Sequence, residues 1–178
     1  MVNVNIDKYI KAVGEIIGEV RKSQSITQKE ASEKLGISTP YYSRLENFKI
    51  NKVSLLIISK LANNVNITLS DLLYEANNRV NSNFVKNITC YYKYEIQEEQ
   101  LLLNILNEIK EERLSKGISQ YKIAEDMRIV RQYYSDIEKG KNKSISLYRL
   151  LEITEVIETP LYILVERAED KIANNYEI

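Results

Sequence analysis

The sequence predicts an all-α protein made of two copies of one five-helix unit joined by a linker. Three observations carry that expectation. The 178 residues include five Gly and two Pro, too few for the many turns of an all-β chain. Apolar residues recur at helical spacing, as at Leu102, Ile105, Leu106 and Ile109. The chain also repeats itself. Displaced by 92 positions, so that Gln28 meets Gln120, two segments align without a gap over about 55 positions.

The alignment sets the organisation. Ile26-Thr27-Gln28 falls on Ile118-Ser119-Gln120, Tyr41-Tyr42-Ser43 on Tyr133-Tyr134-Ser135, Lys49 on Lys141, and Leu69 and Leu72 on Leu161 and Leu164. This assigns residues 1–76 to the first unit, 77–96 to a linker and 97–178 to the second. In the second unit a helix over Glu98 to Ser115 should end at Gly117, a left-handed cap. Thr27 and Ser119 should cap the next helices, and Ser38 a third over Thr39 to Asn47, with Pro40 in a first turn that tolerates it. Helices over Val53 to Asn63 and Leu69 to Ala76 complete the first unit. The linker is rich in Asn and Tyr, with a short strand expected at Ile88 to Tyr94.

Composition narrows the function. Hydrophobic residues make up 44% and charged residues 28%, a globular balance. There is no histidine and one cysteine, Cys90. The commonest general base and metal ligand are therefore missing, and zinc sites and Cys/His or Ser/His chemistry are nearly excluded. The scattered glycines form no phosphate loop. The expectation is a non-enzyme without cofactor, metal or catalytic residues. No stretch approaches the roughly 20 apolar residues of a membrane span, and a lone cysteine suits a reducing cytoplasm. Lys and Arg total 25, as do Asp and Glu. That neutrality is unusual for a nucleic-acid binder, so the placement of charge matters more than its sum.

The segment from Thr27 to Asn47, with its capped Gln28, Ser32 four positions later, Gly36 at a tight turn, then Ser43-Arg44-Leu45-Glu46, resembles the Cro/XRE helix-turn-helix family of phage-repressor-like proteins. The segment Ser119 to Lys141 is similar. The contact between the two helices of the motif needs a small residue, which Ala124 supplies and Ser32 approximates. The turn needs positive φ, which Gly36 meets. Arg128 stands in that place in the second copy, and keeping the conformation would cost about 1 kcal/mol. The resemblance implies a buried ion pair between first and third helices, Arg21 with Glu46 and Arg113 with Glu138.

It also implies recognition helices starting at Thr39 and Arg131, whose N-terminal ends enter the major groove of double-stranded DNA. Thr39, Pro40, Ser43 and Arg44, with Arg131, Gln132, Ser135 and Asp136, would then face bases. Arg131 suits guanine and Gln132 adenine, whereas Asp136 repels phosphate. Gln28 and Gln120 carry over as groups against phosphate and base, with a plain surface glutamine the alternative. Tyr42 and Tyr134 should face the core, and Tyr41 and Tyr133 the phosphates. Lys49, Lys52, Lys141 and Lys143 follow the recognition helices, where lysines clamp phosphate. Arg128, Arg131, Lys139, Lys141 and Lys143 outnumber Asp136 and Glu138 there.

The implied role is a cytoplasmic transcriptional regulator of bacterial or phage origin, a repressor by analogy with the family. An antitoxin or anti-regulator with one copy turned to protein binding stays open. So do an RNA-binding or co-activator role, a homodimer and a protein partner. A 20-residue linker reaches at most about 70 Å, and successive major-groove faces lie about 34 Å apart, so one chain can place both recognition helices on one side of a duplex.

Overall fold

The computed structural model describes residues 5–47, 49, 52–81 and 97–176. Among them the chain is all-helical apart from one isolated β-bridge. The first unit comprises α1 (Ile6–Ser23), α2 (Gln28–Lys34), α3 (Thr39–Glu46), α4 (Leu55–Asn64) and α5 (Leu69–Asn81). The second comprises α6 (Glu98–Ser115), α7 (Gln120–Asp126), α8 (Arg131–Glu138), α9 (Leu147–Ile157) and α10 (Leu161–Tyr176). Two sequence boundaries move. Residues 77–81, assigned to the linker, extend α5. Helix α4 starts at Leu55 rather than Val53, because Ser54 caps it by accepting from the Ile57 amide. The rest of the linker, with the strand expected at 88–94 and Cys90, lies outside the described residues.

The duplication is preserved in the backbone at positions where side chains differ. Ser25 (φ 58°) matches Gly117 (φ 66°), Gly36 (φ 66°) matches Arg128 (φ 53°), and Asn66 (φ 57°) matches Glu158 (φ 56°). Arg128 therefore keeps the left-handed turn despite its Cβ. Packing overrides the local preference, since the flanking Ile123, Ala124 and Ile137 are buried and fix where each helix begins and ends.

The two units pack directly on each other and share one hydrophobic core, built from residues such as Val13, Ile16, Leu61 and Leu72 in one unit and Ile105, Leu150, Ile153 and Leu164 in the other. Between the units Ser54 and Ser146 form an antiparallel bridge. The Leu55 amide donates to the Ile145 carbonyl at 2.9 Å, and the Leu147 amide to the Val53 carbonyl at 3.1 Å. Ser54 and Ser146 are counterparts in the repeat, as are Val53 and Ile145, and Leu55 and Leu147. Exchanging the units therefore converts each hydrogen bond into the other, which defines a local two-fold axis through the bridge. The helix contacts obey the same axis: α5 packs on its counterpart α10, while α4 on α6 mirrors α9 on α1.

A contact between the units departs from this symmetry. The Glu169 carboxylate of α10 meets the start of α5, accepting from the Leu69 amide at 3.1 Å and from the Ser70 hydroxyl. The counterparts of Glu169 and Ser70 are Asn77 and Tyr162, and Tyr162 instead stacks edge-on against Tyr74, ring centroids 5.1 Å apart. Burial pushes the Glu169 carboxyl up to about 7, against the pull of its Ser70 and Leu69 hydrogen bonds. A pKa raised on folding stabilises fully below the ordinary value of 4.5 and loses that contribution as pH rises through about 7. Thermal unfolding should therefore show wild-type stability declining between pH 5 and pH 8, by on the order of 1–3 kcal/mol. Glu169→Gln should flatten that decline, and an equal decline in both proteins would contradict the assignment.

Candidate nucleic-acid interface

Each helix-turn-helix is assembled by local capping. Thr27 and Glu30 cap α2 reciprocally: the Thr27 hydroxyl accepts from the Glu30 amide at 3.2 Å and the Glu30 carboxylate accepts from the Thr27 amide at 2.7 Å. Ser119 accepts from the Lys122 amide at 3.0 Å at the start of α7. At α3 the expectation fails in part. Ser38 occupies the N-cap position, but its side chain makes no capping hydrogen bond. Pro40 removes one of the amides that a cap oxygen would meet.

Each motif is then clamped from beneath. Arg21 of α1 donates to Glu46 of α3 through two nitrogens at 2.7 and 3.0 Å, and to the Ile26 carbonyl that leads into α2. Arg113 does the same with Glu138, its Nη2 at 3.2 Å, and with the Ile118 carbonyl at 2.7 Å. The four side chains are no more than 8% exposed. Burial pushes both carboxyls up, yet both end below the ordinary range because Arg21 and Gln28 donate to Glu46, and Arg113, Gln120 and Tyr134 to Glu138.

Gln28 and Gln120 thus have a partner that spacing alone did not disclose. Gln28 Nε2 donates to Glu46 at 3.0 Å and Gln120 Nε2 to Glu138 at 2.7 Å. Both glutamines are half-buried. The bond turns each amide nitrogen toward the clamp, while part of each glutamine stays accessible to solvent. Preservation of Arg, Gln, Tyr and Glu together at the repeat offset was the available signal. Tyr42 and Tyr134 are fully buried, as expected, and Tyr134 donates to Glu138 at 2.8 Å.

The recognition helices present different surfaces. Pro40, Tyr41, Arg44, Arg131, Gln132 and Tyr133 are exposed, with Tyr41 and Tyr133 both at 38%. Thr39 is half-buried, its hydroxyl 2.9 Å from that of Ser32, which stitches α2 to α3. Ser43 is half-buried, and Ser135 is buried at 9% exposure; this corrects its expected place among the outward-facing residues. Asp136 does not stand as an isolated repulsive charge. It accepts from Gln132 at 3.0 Å and pairs with Lys141 at 2.8 Å, and the Lys141 ammonium foremost holds its carboxyl below the ordinary range. The bond to Asp136 occupies one of the two Gln132 Nε2 hydrogens and orients the amide. Lys143 pairs with Glu99 of α6 at 2.8 Å, while Lys49 and Lys52 are exposed.

Among the described residues no group of acidic, His or Cys side chains is placed to hold a metal, and no helix is long and apolar enough to cross a membrane. Replacing Glu138 with Ala would strand the Arg113 charge and leave Gln120 and Tyr134 without their acceptor. The denaturant midpoint should fall by an amount equivalent to about 3–5 kcal/mol, whereas Arg113→Met with Glu138→Leu should cost less. Equal losses would contradict an added cost for stranding the Arg113 charge.

A family model described as helix-turn-helix matches the chain twice, at residues 17–72 and 109–164. The second match is displaced from the first by the same 92 positions that align the repeats. No curated protein and no solved structure matches. Two matches covering more than half of the sequence, each enclosing a capped, clamped helix pair with an exposed third-helix N-terminus, place this chain in the Cro/C1-type helix-turn-helix family of DNA-binding regulators.

Proposed function

We propose that the protein is a sequence-specific repressor that binds one double-stranded DNA site with both of its helix-turn-helix units. The observation that carries this reading is the self-paired bridge at Ser54 and Ser146. A two-fold axis between the units relates α3 to α8 as the subunits of a dimer would be related, within a single chain. The duplex site that suits it is an inverted repeat. Its halves are unequal, because Thr39-Pro40 stands in one unit where Arg131-Gln132 stands in the other. Packing rather than tether length fixes the spacing between the readers.

The second unit is the stronger reader. Arg131 is exposed at the first position of α8 and suits a guanine edge. Lys141 supplies phosphate contact once Asp136 releases it, and Lys49 and Lys52 do the same for the first unit. The antitoxin or anti-regulator reading draws support from the neutral net charge and from the acid-paired Lys141 and Lys143, which weaken the basic field. Salt dependence separates the two, since duplex binding falls steeply with salt.

Selection of bound duplexes from a random pool tests the reading. It should enrich a bipartite motif with inverted, dissimilar halves, occupied by one chain. Recovery of no motif would reject the reading, and a single half-site would confine DNA binding to one unit. On the enriched duplex, Arg131→Ala should cost about 1–3 kcal/mol and relax one base pair. Lys141→Ala should weaken all sequences alike and reduce the salt slope by about one. Identical behaviour would refute the division between base and phosphate contacts.

A further inference from the structure

Val130 is the most exposed large hydrophobic residue among those described, at 70%. Neither of the usual structural roles accounts for it. It does not pack in the core, and it occupies the N-cap of α8, where its side chain makes no hydrogen bond and where valine is among the poorest residues. Its backbone does the capping work alone, the Val130 carbonyl accepting from the Tyr133 amide at 3.0 Å. The counterpart in the first unit, Ser38, has nearly the same backbone, φ −72° and ψ 144° against −75° and 139°. It too is exposed and makes no capping bond. The position is thus structurally idle in both units, and the two copies fill it with opposite chemistry. In α8 it immediately precedes the exposed Arg131 and Gln132.

We infer that Val130 reads sequence by packing its methyl groups on the 5-methyl group of a thymine in the second half-site. The inference rests on the DNA-binding reading above and adds a residue to it. An apolar side chain at the groove-facing end of a recognition helix has one apolar feature to meet in the major groove, the thymine methyl. Ser38 offers a hydroxyl there instead, so the position also helps make the two halves unequal. The exposed valine that weakens the cap is then retained for contact with DNA.

The test uses the full chain and the duplex enriched from the random pool. Each thymine of the second half-site is replaced in turn by deoxyuridine, which removes only the methyl group. One replacement should weaken wild-type binding about three- to tenfold. Val130→Ser, which installs the first unit's residue and a better cap, should bind the thymine duplex that much more weakly. It should also lose all sensitivity to that same replacement. Its thermal midpoint should equal or exceed the wild type's, showing that weaker binding does not reflect poorer folding. Wild-type binding that is indifferent to uracil at every position would overturn the inference. So would a thymine whose replacement costs wild type and Val130→Ser equally. Failure of the intact chain to bind any duplex would instead reject the DNA-binding reading itself, and the valine assignment with it.

Discussion

In each unit a guanidinium from the first helix grips a carboxylate from the third, and the rest of the motif is arranged around that grip. Arg21 and Arg113 also hold the carbonyls of Ile26 and Ile118, so one side chain fixes the end of one helix, the approach to the next and the base of the recognition helix. Two charges in so dry a place cost more in lost hydration than their attraction returns, unless the remaining hydrogen-bonding capacity is filled. Gln28 and Gln120 fill part of it from the surface side, and Tyr134 fills part from the core. The clamp therefore serves geometry more than stability. It also links the buried pair to the half-buried glutamine amide at the surface that would face DNA.

Much of this was legible in the sequence because it is local or because it is repeated. The caps at Thr27 and Ser119 follow from short-range chemistry, and the left-handed backbone of Arg128 follows from Gly36 in the other copy. The ion pairs came from the family resemblance. What escaped prediction depends on groups distant in the chain or on side-chain rotamers. Nothing near Ser54 or Ser146 announces that they will pair, since a two-residue bridge leaves no period. The inward turn of Ser135 and the capture of Gln132 and Lys141 by Asp136 depend on rotamers and partners that spacing alone leaves open. The shared core was hidden for the same reason: the sequence suggested a tether, and the units meet face to face.

The symmetric interface explains how the copies could diverge without losing their arrangement. Its central hydrogen bonds run between backbone groups of Val53, Leu55, Ile145 and Leu147, which constrain side chains only to be apolar and buried. Away from the axis the copies differ freely, as where Ser70 meets Glu169 while its counterpart Tyr162 stacks on Tyr74. Two identical chains must carry identical recognition helices and identical flanks. Two fused copies are bound by the common frame alone.

That freedom bears on polarity. With equal readers, a two-fold complex can be turned end for end on its site with no change in energy. With Thr39-Pro40 on one side and Val130-Arg131-Gln132 on the other, the reversed complex exchanges every base contact, and each mismatched base pair costs about 1–3 kcal/mol. A few such differences are enough to fix one orientation. An oriented complex sets the first unit on a defined side of the site. Any further contact made by that side would inherit the direction written in the two recognition helices.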